Sequence, residues 1–94
     1  MKFDDAKEKM STIHKLHTAR DSEGETIFYK KPFSAKRLSV VVNKSEKDIK
    51  SFALNKVTHM SLSDLGLLIQ YKPVDKVKHF PFPLNQIDDI IVES

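Results

Sequence analysis

The sequence predicts a mainly β protein in which one N-terminal α-helix precedes a small barrel of five or six short strands. Apolar residues have helical spacing over residues 3–20, whereas the rest of the chain alternates short β-branched and aromatic runs with turn signals. Strands this short and closely spaced favour closure into a barrel, because closure removes exposed edges. We therefore expect a single domain over residues 1–94, with the helix in 1–21 and the barrel in 26–94.

One apolar stripe predicts the N-terminal helix. Its members recur at spacings of three and four residues: Phe3, Ala6, Met10, Ile13 and Leu16. Asp5 and Glu8 have the spacing of a capping box and suit the positive end of the helix dipole. The polar stretch 21–25 contains Gly24 and predicts a turn after the helix.

Five segments are predicted to be extended. β-Branched, aromatic and aliphatic residues favour strands at 26–30, 38–43, 67–71, 77–82 and 87–92. Pro81 and Pro83 exclude a helix in their segment. A short turn after Leu84 is expected to lead into the last strand. No repeat or low-complexity tract is apparent in the sequence.

Residues 45–57 allow two interpretations. Ser45 and Asp48 imitate a capping box, and Ile49, Phe52 and Val57 have helical spacing. The neighbouring segments are predicted strands, and the β character continues beyond residue 57, which favours a strand. The alternative is a second helix at 45–56, which would make the domain α+β.

Composition excludes several classes of protein. The chain has no Cys, which excludes a disulfide scaffold, a cysteine zinc site and a thiol nucleophile. No apolar run approaches the roughly 18 residues that span a bilayer. Residues 1–5 lack the apolar core of a signal peptide. We therefore expect a cytoplasmic protein with no membrane partner.

The middle of the chain is basic. The net charge is +3 for the whole chain, but residues 26–60 hold eight Lys or Arg and two Asp or Glu. Within them, residues 28–37 interleave aromatic rings with cations: Phe28, Tyr29, Lys30, Lys31, Phe33, Lys36 and Arg37. Single-stranded nucleic acid is bound by such combinations, since cations contact phosphates and rings stack on bases. The alternative is that Phe28 and Phe33 belong to the core and the lysines are merely solvated.

Candidate catalytic and metal-binding residues are few. His14 and His17 would share a face of the predicted helix, but no carboxylate follows at zincin spacing. Asp88 and Asp89 are adjacent and would point to opposite sides of a strand, so they are poorly placed to share a proton or an ion. Two glycines cannot build a phosphate-binding loop. We therefore expect no enzyme activity, no metal site and no cofactor.

The C-terminal half resembles a known family. Residues 55–61 (Asn-Lys-Val-Thr-His-Met-Ser) are followed by Leu67-Leu68-Ile69 and then by residues 82–90 (Phe-Pro-Leu-Asn-Gln-Ile-Asp-Asp-Ile). This succession resembles the YolD-like family, with Asn55 and Ser61 at positions where members have glycine and aspartate. The alternation is also similar to that of Sm-like and Src-homology-3-like small barrels. The resemblance implies a non-enzymatic accessory protein of bacteria or their phages, with a protein or DNA partner.

Three functions remain open from the sequence. The first is a non-catalytic interaction module that binds a protein partner. The second is a single-stranded nucleic-acid binder that uses residues 28–37. The third is a small ligand-binding homo-oligomer. The predicted N-terminal helix, with its narrow apolar face, is a further candidate docking element.

Overall fold

A computed structural model of the chain describes residues 1–13, 15–21, 24–30, 33–42 and 48–94. Its elements are α1 (Phe3–Lys9), β1 (Lys15–Asp21), β2 (Gly24–Lys30), β3 (Arg37–Val42), β4 (Asp48–Ala53), β5 (Val57–Leu62), β6 (Gly66–Tyr71), β7 (Lys78–Pro83) and β8 (Ile87–Glu93). Two short 3₁₀ turns, η1 (Leu54–Lys56) and η2 (Leu84–Gln86), join β4 to β5 and β7 to β8.

The strands form two antiparallel sheets. Sheet A has five strands in the order β1-β2-β5-β6-β7, and sheet B has three in the order β4-β3-β8. The mainly β prediction with one N-terminal helix is therefore confirmed. The strand ladders of the described residues do not continue from one sheet into the other, so the predicted closed barrel is not confirmed.

The core lies between the inner faces of the two sheets. Alternate residues of each strand are buried in it, such as Met60 and Leu62 of β5 and Leu67 and Ile69 of β6. Tyr29 of β2 is 2% exposed and belongs to the same core. The apolar side chains of α1 and the turn after it complete the core at one end.

The N-terminal helix is shorter than the sequence predicts. It ends at Lys9, and residues 15–21 form β1, which pairs with β2 in an antiparallel hairpin. Pairing with β2 satisfies the backbone of this segment through tertiary contacts, which override a weak helical preference. Ala6, Met10 and Ile13 are nevertheless buried as the stripe requires. The helix begins two residues before the predicted capping box, and its N-cap Lys2 makes no side-chain cap bond.

A second helix at 45–56 is not formed. Residues 48–53 are strand β4 and residues 54–56 are the turn η1, while residues 43–47 lie outside the described part of the chain. The helical spacing is coincidental, because Phe52 and Val57 are buried from two different strands. Ile49, which a helix would bury on the same face, is 56% exposed.

The two halves of the sandwich repeat one another. Residues 52–57 (Phe-Ala-Leu-Asn-Lys-Val) and residues 82–87 (Phe-Pro-Leu-Asn-Gln-Ile) each end a strand, form a 3₁₀ turn and begin a strand of the other sheet. β3 pairs with β4 and β8, and correspondingly β6 pairs with β7 and β5. The unit β3-β4-η1-β5 thus has the same succession of elements and the same strand pairing as β6-β7-η2-β8. The expectation that the chain contains no repeat is therefore wrong at the level of the fold.

Candidate binding face on sheet A

The residues predicted to bind nucleic acid do not share one surface. Phe28 points to the outer face of sheet A and is 37% exposed, whereas Tyr29 faces the core. Successive side chains of a strand point to opposite faces, so β2 cannot present both rings. Lys30 ends β2, and its backbone is in register with His59.

The rest of the predicted segment lies elsewhere. Phe33 is half-buried and packs against the core. Lys36 and Arg37 are exposed at the start of β3 and therefore belong to sheet B. Lys31 falls outside the described residues. Of the predicted set, Phe28 and the strand position of Lys30 remain on the outer face of sheet A.

Neighbouring strands complete this face with residues that the sequence analysis did not select. Strand register aligns two rows across β2, β5, β6 and β7. The first row is Phe28, Ser61, Leu68 and Pro81. The second row is Lys30, His59, Gln70 and His79. Together these eight residues are named the sheet A face.

Two shallow grooves cross the sheet A face and adjoin at Ser61 and Leu68. One groove has a volume of about 230 Å³ and is lined by Phe28, Tyr29, His59, Met60, Ser61, Leu68 and Gln70. The other has a volume of about 290 Å³ and reaches Pro81 and Pro83. Each is below the volume of a typical small-molecule pocket, which starts near about 300 Å³. Their continuity suits an extended ligand better than a compact one.

Lysines surround one end of the sheet A face. β2 ends at Lys30, Lys56 precedes β5, Lys72 follows β6 and Lys78 begins β7. Lys56, Lys72 and Lys78 are exposed. Because antiparallel neighbours start and end at the same edge, Lys56, Lys72 and Lys78 lie at one end of the sheet. Lys56 and Lys72 are adjacent, whereas Lys78 pairs with Tyr71 and has the alternation of the core-facing Phe80.

Backbone and side-chain hydrogen bonds stabilise this lysine-bearing end. The amide of Lys72 donates to the carbonyl of Lys56 over 2.8 Å. The hydroxyl Oγ1 of Thr58 donates to the carbonyl of Gln70 over 3.1 Å. Among the described residues at this end, the acidic one is Asp75, which lies in the loop between β6 and β7.

The outer face of sheet B has a different chemistry. Ile49 and Ile91 are 56% and 42% exposed there. Between them, the hydroxyls of Ser39 and Ser51 form a hydrogen bond of 2.9 Å. The register places Arg37, Asp89 and Glu93 on the same outer face, so sheet B combines exposed isoleucines with charges of both signs. The sheet A face instead carries imidazoles and adjoins the lysines.

The described residues contain no group of three His, Cys, Asp or Glu side chains that could hold a metal ion. His59 and His79 lie two strands apart with Gln70 between them, which separates their strands by roughly 10 Å. His17 lies in β1, so it has no helical face to share with His14, which is not among the described residues. Asp88 and Asp89 lie in β8.

In the described part of the chain, no helix has the length and apolar character needed to cross a membrane. No protein-family model, no curated protein and no solved structure matches this chain. The function must therefore be inferred from the surface itself.

A signal for the missed residues is present in the sequence. In 57–62 and 66–71, apolar positions alternate with positions that hold His59, Ser61, Leu68 and Gln70. Alternation assigns these to the outward face, but strand order decides which outward residues become neighbours. That order requires the tertiary structure.

Proposed function

We propose that this protein is a non-catalytic binding module whose ligand is single-stranded nucleic acid, bound on the sheet A face. The observation that carries the proposal is the combination of an exposed ring, two imidazoles and an amide on one open face, with the exposed Lys56, Lys72 and Lys78 at one end of the sheet. The described outward side chains of this face include no carboxylate. A polyanion therefore meets no fixed negative charge on the face itself.

The sheet A face matches the two requirements for single-strand binding. Phe28, His59 and His79 offer flat rings on which unpaired bases stack. Gln70 lies between the two histidines in the second row and carries both a donor and an acceptor for base edges. Lys56 and Lys72 supply cations for phosphates beside this face, and Lys78 adds a third cation at the same end of the sheet.

The geometry favours single strands over duplex. Bases in a duplex are already stacked, and their flat faces are inaccessible to protein rings. The sheet A face is shallow and broad, and no described helix projects from it to enter a major groove.

The test is fluorescence-anisotropy titration with a labelled deoxythymidine oligonucleotide of about 12 nucleotides over a range of salt concentrations. The variant Lys56→Gln/Lys72→Gln/Lys78→Gln removes three charges from the lysine-bearing end of sheet A. Each lost phosphate contact should reduce the salt slope by about 0.7, so the slope should fall by roughly two. The matched control Lys36→Gln/Arg37→Gln/Lys50→Gln removes three charges from sheet B and should leave the slope unchanged.

A second variant separates stacking from electrostatics. Phe28→Ala should weaken binding by about 1–3 kcal/mol, the contribution of one stacked base, without changing the salt slope. Equal losses in both triple variants would indicate a diffuse charge effect and contradict the proposed face. A loss confined to the sheet B control would instead assign binding to residues 36–37 and their surroundings. Absence of binding at low salt would overturn the proposal.

A protein partner is the second candidate function, and the two exposed isoleucines on the outer face of sheet B favour it. Exposed apolar side chains on a sheet are typical of protein contacts when they form a contiguous patch. Ile49 and Ile91 lie on the two outer strands of this three-stranded sheet. Failure of the nucleic-acid test would leave this face as the leading site for a partner.

The finer assignments from sequence are proposals as well. The motif that resembles the YolD-like family occupies the end of β7, the turn η2 and the start of β8. A family of non-enzymatic accessory proteins would agree with a binding role, as would a cytoplasmic location. The crossover of β4 into β5 and of β7 into β8 supports a barrel-like arrangement of the Sm-like or Src-homology-3-like kind.

A further inference from the structure

Strand β7, at one edge of sheet A, is blocked against further pairing. Its register pairs Phe80 and Phe82 with Ile69 and Leu67. Proline has no backbone N–H, so the even positions Phe80 and Phe82 make the hydrogen bonds to β6. The backbone nitrogens of Pro81 and Pro83 face the outer edge of the sheet, where they offer no donor. An added strand would find no amide at either position.

Strand β8, at one edge of sheet B, is covered by the N-terminal segment. The Met1 ammonium donates to the carbonyl of Ile87 over 3.0 Å. The amide of Ile90 donates to the carboxylate of Asp89 over 2.8 Å. The same carboxylate lies 3.3 Å from the Lys9 ammonium of α1. The helix thus covers the outer edge of β8. In the internal repeat β8 corresponds to β5, whose equivalent edge pairs with β2.

Strand β4, at the other edge of sheet B, has neither protection among the described residues. The amide of Leu54 donates to the carbonyl of Lys36 over 2.9 Å, so the even positions of β4 face β3. Ile49, Ser51 and Ala53 therefore direct their amides and carbonyls outward. In the internal repeat, Ser51 and Ala53 correspond to Pro81 and Pro83.

We propose that β4 is the edge through which two copies of this protein pair, antiparallel and two-fold symmetric about Ser51. The two three-stranded sheets then become one six-stranded sheet. Unpaired backbone groups on an exposed edge are a ready template for another strand.

The pattern of β4 fits a second copy of itself. In this register Ile49 lies opposite Ala53 of the second copy, so an exposed apolar side chain gains an apolar neighbour. Lys50 lies opposite Phe52 of the second copy, so no like charges face each other directly. Residues 49, 51 and 53, whose backbone amides and carbonyls point outward, are symmetric about residue 51. Each outward backbone group of one copy therefore lies opposite an outward backbone group of the other.

The internal repeat also supplies the variant that tests this pairing. Ala53 has φ −71° and ψ 118°, and its counterpart Pro83 has φ −58° and ψ 137°. Proline requires φ near −65°, so Ala53→Pro fits the backbone and removes an amide that β3 does not use. Ala53→Ser is the matched control, because it changes the side chain and keeps the amide.

Sedimentation velocity and multi-angle light scattering on the purified full chain measure the result. We expect the wild type and Ala53→Ser to be dimers at about 100 µM, and Ala53→Pro to be a monomer with at least a tenfold higher dissociation constant. The melting temperature of Ala53→Pro should equal or exceed that of the wild type at concentrations where both are monomers. A second variant, Ile49→Lys, changes an exposed side chain without touching the backbone and should weaken the dimer in the same direction.

Three results would overturn the proposal. The first is a wild type that stays monomeric up to the highest soluble concentration. The second is a dimer that both variants leave intact. The third is assembly beyond a dimer, which would require a second interface. The readout does not depend on nucleic acid, so this proposal and the proposed function can fail separately.

Discussion

Phe52 and Phe82 occupy equivalent positions in the two halves of the fold, and their rings meet edge to face with centroids 6.0 Å apart and planes at 78°. Phe52 also contacts Tyr71 and Phe80 edge to face, at 5.3 Å and 5.1 Å between ring centroids. One ring from sheet B thus contacts three rings from sheet A, and this cluster links the two sheets.

Truncation of this pair should show energetic coupling between the sheets. Phe52→Leu and Phe82→Leu each remove an aromatic contact, and a double-mutant cycle isolates the contact between the two rings. We expect a coupling of about 0.5–1.5 kcal/mol in the free energy of unfolding, as for other aromatic pairs. Urea unfolding of the wild type and the three variants measures it. Additive single effects would show that the two rings do not interact energetically.

Gly66 should tolerate no side chain. A Cβ at this position would lie 2.4 Å from the carbonyl oxygen of Phe82, and the backbone φ is +157°. The contact is with backbone, so β7 would have to move away from β6. We expect Gly66→Ala to destabilise the fold by roughly 1–3 kcal/mol, the range for overpacking.

The control for Gly66→Ala is Leu65→Ala in the same turn. Leu65 is 78% exposed, so its truncation should change the free energy of unfolding by less than about 0.5 kcal/mol. Thermal melts of both variants provide the comparison. Equal melting temperatures for the two variants would mean that β7 moves away from β6 without a loss of stability.

Replacing Asp88 with threonine, the residue at the equivalent position in the other half of the fold, should stabilise the protein. Thr58 and Asp88 are the residues at equivalent bulges in β5 and β8, where the strand register shifts. Thr58 donates a hydrogen bond to the carbonyl of Gln70, whereas the oxygen Oδ2 of Asp88 is buried without a partner among the described residues. An unsatisfied buried polar atom costs about 1–3 kcal/mol. We therefore expect Asp88→Thr to stabilise the fold by about 1 kcal/mol.

The reciprocal variant Thr58→Asp tests whether the bulge positions 58 and 88 are equivalent, by placing the aspartate in β5. It replaces a hydroxyl donor with a carboxylate acceptor beside a carbonyl and should destabilise the fold. Chemical denaturation at a fixed pH measures both variants. A destabilising Asp88→Thr would show that the carboxylate makes a favourable interaction at its own site.

Replacing Pro81 and Pro83 of β7 should create a second strand edge that can pair with another molecule. Pro81→Ser/Pro83→Ala gives β7 the residues of β4 at the equivalent positions and restores two outward amides. With β4 also open, each molecule would then carry two pairing edges, and heterologous contacts can extend into filaments. We expect concentration-dependent assembly beyond a dimer by light scattering. The same double substitution combined with Ala53→Pro should limit assembly, because one edge is blocked again.

Much of the strand content could be predicted from local sequence. Segments 38–43 and 67–71 are rich in β-branched or aliphatic residues, and prolines exclude a helix at 77–83. Residues 38–42, 67–71 and 78–83 of these segments fall in strands, and residue 43 lies outside the described part of the chain. The apolar stripe of the N-terminal segment correctly identified Ala6, Met10 and Ile13 as buried. These are local patterns of period 2 or 3.6, which a single sequence displays directly.

The binding face was less predictable, because it is assembled from four strands. Phe28 was identified from its own segment, but His59, Gln70 and His79 become its neighbours only through the order β2-β5-β6-β7. Tyr29 and Phe33 were selected by composition, and strand alternation and packing turn them away from the outer face. A linear segment of cations and rings is therefore a poor guide to a surface built by register.

The sequence by itself determined that this chain is mainly β, that an N-terminal helix precedes the strands and that it contains no cysteine chemistry. These follow from side-chain chemistry and local conformational preference, which act within a few residues. The tertiary structure alone decided that residues 15–21 pair as a strand, that one connectivity is repeated in two halves of the fold, and that β4 is the unprotected edge among the described residues. Those features depend on which backbone groups meet across the fold, and hydrogen bonds between distant segments are not encoded in any short stretch of sequence.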